Sequence, residues 1–202
     1  MKIDVEVISR EIIKPTTSPH DQYKFSLLDQ VNPTWYLPFI YFYSVDHKLI
    51  SKNEISKHLK TSLSQVLNHY YLLAGIVNDN FVDCKNGGVL VLEAQVNCHL
   101  SEFLQNPNPD NFVNKFLPND ANKLFLTVQL NFFNCGSIAI GVRMSHKVTD
   151  AFHQQTCRMA NLNMLTGKGS TKIHSKEKRF FSPVQVFAGF VSMKLILVGE
   201  SL

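Results

Sequence analysis

The chain has 202 residues, 45% of them hydrophobic and 18% charged. That is enough apolar material for one domain with a full core, and too little charge for a disordered chain. The formal charge of +4 is gathered between Lys168 and Arg179, where Lys168, Lys172, Lys176, Lys178 and Arg179 stand against Glu177 and the rest of the chain is neutral; a nucleic-acid face spreads its charge across a folded surface with interleaved aromatics, so nucleic acid is set aside as a partner.

Residues 2–15, KIDVEVISREIIKP, alternate Ile3, Val5 and Val7 with polar neighbours and predict a strand closed by Pro15. PTTSPHD is a loop, and YKFSLLDQVNP over 23–33 is a short helix or turn ended by Pro33. WYLPFIYFYSV over 35–45 is aromatic and β-branched, which predicts a buried strand with Trp35 packed. The strongest helical signal covers 51–75, where Leu59, Leu63, Val66, Leu67 and Tyr70 recur at three- and four-residue steps and Gly75 follows as a stop.

FVDCKNGGVLVLEAQVN over 81–97 predicts a hairpin, since the Asn-Gly in KNGG supplies the positive φ angles that tight hairpin turns demand. The next stretch, 100–120, is loop with helical pieces cut by Pro107, Pro109 and Pro118. Residues 124–146 form two nearly continuous apolar strands joined at NCGS, which places both in the middle of a sheet. A helix is predicted over 150–165 and a solvated linker over 166–179. The tail from 180 to 202 is apolar but interrupted by Pro183, Gln185 and Lys194, so a segment needing a packing partner is expected in place of a membrane span. Strands mixed with helices at these lengths make an α/β layered domain.

Cys84, Cys98, Cys135 and Cys157 contain no CxxC pair, and the charged start MKIDVEVISREIIKP lacks a signal peptide's apolar stretch. Reduced thiols in a cytoplasmic protein are expected.

The stretch SHKVTDAFHQ, 145–154, puts His146 four residues before Asp150, just past a strand. A histidine at a strand end can take a proton from a hydroxyl near neutral pH. Asp150 could cap the following helix, or pair with an arginine and hold the loop. The spacing leaves open that both are ordinary polar residues at a helix start. A zinc site from His146, Asp150 and His153 is disfavoured, because a zinc motif comes with a clearer ligand set. There is no GxSxG elbow, GxGxxG or GxxxxGK[ST].

The order of segments says more than the pair. FSLLDQ (25–30), LPFIYFY (37–43), LKTSLSQVLNHYYLLAG (59–75), GGVLVLEA (87–94) and VQLNFFNCGSIAIGVRMSHKVTDA (128–151) together resemble the N-terminal half of plant BAHD acyltransferases. The likeness is to the vinorine synthase-like branch, which acylates alkaloid and other specialised-metabolite alcohols. It implies a mixed sheet flanked by helices, in a domain like those of chloramphenicol acetyltransferase, with a channel between two such domains. Acyl-CoA enters that channel as co-substrate from one side and the acceptor alcohol from the other. By the same resemblance His146 is the general base, Asp150 is a structural residue turned away from substrate, and no bound cofactor or metal is needed. Residues 1–167 then form the N-terminal domain, and 168–202 a basic linker and apolar tail opening the crossover to a second domain. The family's second signature, DFGWG, is absent from this sequence. The expected partners are therefore a C-terminal half or a second copy, and the alternative is a non-catalytic half that binds or regulates a partner.

Overall fold

The structure, a computed structural model, describes residues 3–17, 21–31, 35–45, 50–105, 113–119 and 123–148. The predicted helix over 150–165, the linker over 166–179, the apolar tail and Asp150 lie outside the described residues. In chain order the strands are β1 (Val5–Ile13), β2 (Gln22–Lys24), β3 (Tyr36–Tyr43), β4 (Ile76–Val77), β5 (Phe81–Asp83), β6 (Val89–Val96), β7 (Leu126–Phe133) and β8 (Ile138–Ser145). The helices are α1 (Leu27–Val31), α2 (Lys52–His69) and α3 (Leu100–Gln105), and short 3₁₀ turns cover 71–74, 113–116 and 146–148.

The main sheet has five strands in the order β1-β6-β7-β8-β3, and β2, β5 and β4 make a small second sheet. The pairing of β6 with β7 is parallel, whereas every other pair in the main sheet is antiparallel. This is the mixed sheet with flanking helices that the family resemblance implies. As expected, β7 and β8 run through the sheet interior, every residue of β7 is buried, and NCGS joins them with Gly136 at φ 85°.

Strand alternation divides the buried residues between two faces. Val91, Val128, Leu130, Ile140 and Val142 point to the face covered by α2, whose Ile55, Leu59, Leu63, Val66 and Leu67 fill the space between. The helix starts where Ser51 and Glu54 form a capping box, each side chain meeting the other's backbone N–H. Glu93, on the same face, accepts from the Ser56 hydroxyl at 2.6 Å and pairs with Lys60 at 2.5 Å, so α2 is pinned to β6 by charge as well as by packing. On the other face Phe116, Phe133, Phe103, Val96 and Ala139 form a smaller core with Leu100 and Ile3.

Three readings of the sequence are corrected. The predicted 81–97 hairpin does not form, because β5 pairs with β2 and β4 whereas β6 pairs with β1 and β7. KNGG is a crossover between sheets. A Cβ on Gly87 would fall 1.9 Å from the Ala74 carbonyl oxygen, so this glycine serves close approach and not a positive φ. Among the described residues β3 is an edge strand, only half-buried along most of its length, which is where a proline such as Pro38 is tolerated. Trp35 does not pack inside: it is 61% exposed.

Candidate active site at the end of β8

His146 is the first residue beyond β8, and hydrogen bonds from both neighbouring strands fix it. The Ser145 N–H donates to the Phe125 carbonyl at 2.8 Å, and the His146 N–H donates to the Trp35 carbonyl at 2.9 Å. The Tyr36 hydroxyl reaches the Leu124 carbonyl at 3.1 Å and ties β3 to the approach of β7. The chain then tightens into the 3₁₀ turn His146–Val148. The imidazole is partly exposed and meets the Trp35 ring edge-on, with centroids 5.6 Å apart at 61°. Its Nδ1 is buried and has no hydrogen-bond partner among the described residues.

The next residue explains why FSLLDQ accompanies this loop. Lys147 is buried, with its ammonium 5.6 Å from the centroid of the Phe25 ring, a cation–π contact that holds α1's entry against the turn. The Ser26 hydroxyl and N–H both donate to Asp29, and the Asp29 N–H returns a bond to Ser26 Oγ. That reciprocal cap shapes the entry to α1.

A polar line runs along the second face of the sheet toward the same end. Asn131 and Gln129 are buried and well partnered: Asn131 Nδ2 donates to the carbonyls of Phe116, Gln129 and Ala139, and Gln129 Nε2 donates to Asn131 Oδ1 and the Lys115 carbonyl. Nearer His146 the pattern changes. Thr127 Oγ1 and Arg143 Nε, on residues directly opposite in the β7–β8 ladder, are buried without hydrogen-bond partners among the described residues. Arg143 does reach Asn114 through Nη2 at 3.3 Å. Buried polar atoms are seldom left unpaired, because each costs about 1–3 kcal/mol. With His146 Nδ1, these atoms mark the C-terminal end of β8 as the place where polar capacity remains open.

Of the two predicted residues, the structure positions His146 at the strand end, and Asp150 lies outside the described residues. Sequence reasoning missed Trp35 as the neighbour of His146, and the unpartnered Thr127 and Arg143 facing each other across β7 and β8. The signal for the polar line was present, since Thr127, Gln129 and Asn131 recur at period two inside an otherwise apolar strand. Among the described residues no group of His, Cys, Asp or Glu could hold a metal ion, and no helix is long and apolar enough to cross a membrane.

Comparison with known proteins converges on one family. A family model described as the Transferase family matches residues 3–185. Akuammiline synthase 2 of Alstonia scholaris is 41% identical over 160 residues, 74% of this chain and 35% of the relative. Vinorine synthase of Rauvolfia serpentina is 39% identical over 189 residues, 86% of this chain and 44% of the relative. The crystal structure of vinorine synthase superposes with a TM-score of 0.70 at 35% identity, over 84% of this chain and 45% of that one. The chain thus spans less than half the length of these relatives, and its mixed sheet is the chloramphenicol acetyltransferase-like architecture of that enzyme. By its family match, its relatives and its fold, the chain belongs to the Transferase family of plant BAHD acyltransferases, of which it covers the N-terminal half.

Proposed function

We propose that the chain contributes the base-bearing wall of an acyl-CoA-dependent O-acyltransferase acting on an alcohol of plant specialised metabolism. The reading rests chiefly on His146, fastened at the end of β8 by its neighbours' carbonyls, with its imidazole partly exposed. Relatives named as acyltransferases, including the stemmadenine O-acetyltransferase of Catharanthus roseus at 39% identity over 173 residues, support the reaction class. In this reading the His146 imidazole takes the proton of the acceptor hydroxyl, and the oxygen attacks the thioester carbonyl. The tetrahedral adduct then collapses with loss of the CoA thiolate, which recovers the proton from the imidazolium. Acyl-CoA is a co-substrate and not a bound cofactor. Asp150 holds the loop, and the second wall of the channel comes from a C-terminal half or a second copy.

The test is acyl transfer by the 202-residue chain, offered acetyl-CoA and other acyl-CoAs with a panel of alkaloid and phenolic alcohols and read by mass spectrometry. A product that disappears in His146→Ala, with the fold retained by circular dichroism, is the expected result. A product that survives His146→Ala at the parent rate overturns the assignment of the base.

A further inference from the structure

A second chemically distinctive place lies at the opposite end of β7 and β8 from His146. The parallel pairing of β6 with β7 relates residues 37 apart, as for Gln95 and Phe132, and its last pair sets Val96 opposite Phe133. Beyond the strands the two segments stay in contact out of that register: the Asn134 N–H donates to the Cys98 carbonyl at 3.1 Å. A disulfide needs the two Cα atoms roughly 4.4–6.8 Å apart, and this backbone contact brings Cys135, the residue after Asn134, close to Cys98. The Cys135 sulfur accepts from the Leu100 N–H at 3.5 Å, so this side chain leans toward the turn that carries Cys98. Cys98 is buried in the second core, whereas Cys135 is partly exposed at the hairpin.

We propose that Cys135 and Cys98 form a peroxide-responsive dithiol, Cys135 as the oxidised thiolate and Cys98 as the thiol that resolves it. The Cys135 sulfur attacks one oxygen of a hydroperoxide. An S–O bond forms as the O–O bond breaks, and the departing alkoxide or hydroxide leaves as alcohol or water. The Cys98 sulfur then attacks the resulting sulfenic acid; the S–S bond forms, the S–O bond breaks, and hydroxide leaves with the Cys98 proton as water. Two thiols lose two electrons to one peroxide.

The surroundings favour this division of roles. Partial burial opposes charge on Cys135, but the Leu100 N–H and the hydroxyl and N–H of Ser137 donate to its sulfur and hold its pKa below the usual thiol value. Burial raises the Cys98 pKa, and the nearby Glu102 and Cys135 charges add to it, so Cys98 stays a thiol until its partner is oxidised. The cross-link joins the end of β6 to the β7–β8 turn and touches no residue placed at the candidate active site.

The experiment is to expose the reduced full chain to hydrogen peroxide, block remaining thiols, digest with trypsin and map by mass spectrometry. Cys98 and Cys135 fall in separate peptides, 86–115 and 124–143. The expected product is those two peptides joined, with the loss of two hydrogens. In Cys98→Ser a dimedone adduct is expected on Cys135, and in Cys135→Ser neither adduct nor link. Accumulation of Cys135 sulfinic acid without a link, or a first link through Cys84 or Cys157, overturns the proposal. The mapping of the parent chain decides this even where a variant fails to fold.

Discussion

Gly141→Ala adds a single methyl group to β8, and the structure makes it one of the most damaging small changes available. A Cβ at Gly141 would lie 1.9 Å from the Phe116 carbonyl oxygen, 2.9 Å from the Phe116 carbonyl carbon and 3.3 Å from Leu117 Cα. β8 cannot retreat, because β7 and β3 are hydrogen-bonded to it on both sides. The 113–117 segment must therefore lift. Lifting it takes the Lys115 carbonyl from Gln129 and the Phe116 carbonyl from Asn131. It also withdraws Phe116, fully buried, from the rings of Phe42, Phe103 and Phe133. Two hydrogen bonds contribute about 1 kcal/mol each, and a buried carbonyl left unpaired adds about 1–3 kcal/mol. Asn131 keeps its bonds to Gln129 and Ala139, which limits the loss on its side. The expected destabilisation is about 3–5 kcal/mol, before any repacking of Phe116. Urea unfolding of parent and variant, followed by circular dichroism, measures it. A Gly141→Ala protein within about 1 kcal/mol of the parent would refute the argument, since a clash with backbone cannot be relieved by turning a side chain.

Two further predictions concern titration. Burial opposes the charge on Glu93, but Lys60 and the Ser56 hydroxyl hold its carboxyl below the usual carboxylate range. A lowered carboxyl pKa contributes stability above the unfolded value, and this is lost as pH falls through the folded one. The stability gap between the parent and Glu93→Gln should thus narrow below about pH 4.5, and a gap unchanged from pH 7 to pH 3 in urea titrations would contradict this. The Cys84 thiol is pushed up to about 11, by burial first and then by the Asp83 charge, with a bond from the Tyr23 backbone acting the other way. At pH 8 it should react with a disulfide reagent about a hundredfold more slowly than a free thiol, on thiolate fraction alone. Parity with a free thiol would show that Cys84 is not in the environment described.

How much was legible in the sequence depended on whether the deciding contacts were local. The helix over 52–69 was readable from its apolar spacing, but the predicted run to Gly75 ends instead in a 3₁₀ turn over 71–74. The central strands β7 and β8 were readable because both their faces are covered. The hairpin at 81–97 failed because a local turn signal lost to pairing with β1 and β7, strands remote in sequence and invisible to a local pattern. β3 was mistaken for a buried strand because aromatic richness looks the same at a sheet edge as at its centre. His146 could be found from its place after an apolar strand. Its contact with Trp35 required knowing that β3 lies beside β8.

That same dependence on remote partners sets a timetable for synthesis. Among the described residues β1 has one neighbour in the sheet, β6, and the bond from the Asp4 N–H to the Asn97 side chain spans 93 residues. A ribosome adding about 5–20 residues per second leaves β1 unpaired for roughly 5–20 seconds before its partner exists. During that interval Val7, Ile8 and Ile12, still 48%, 57% and 46% exposed in the finished fold, are available to any passing strand. Glu6, Arg10 and Glu11 set among them are the chain's own guard against a wrong pairing while it waits.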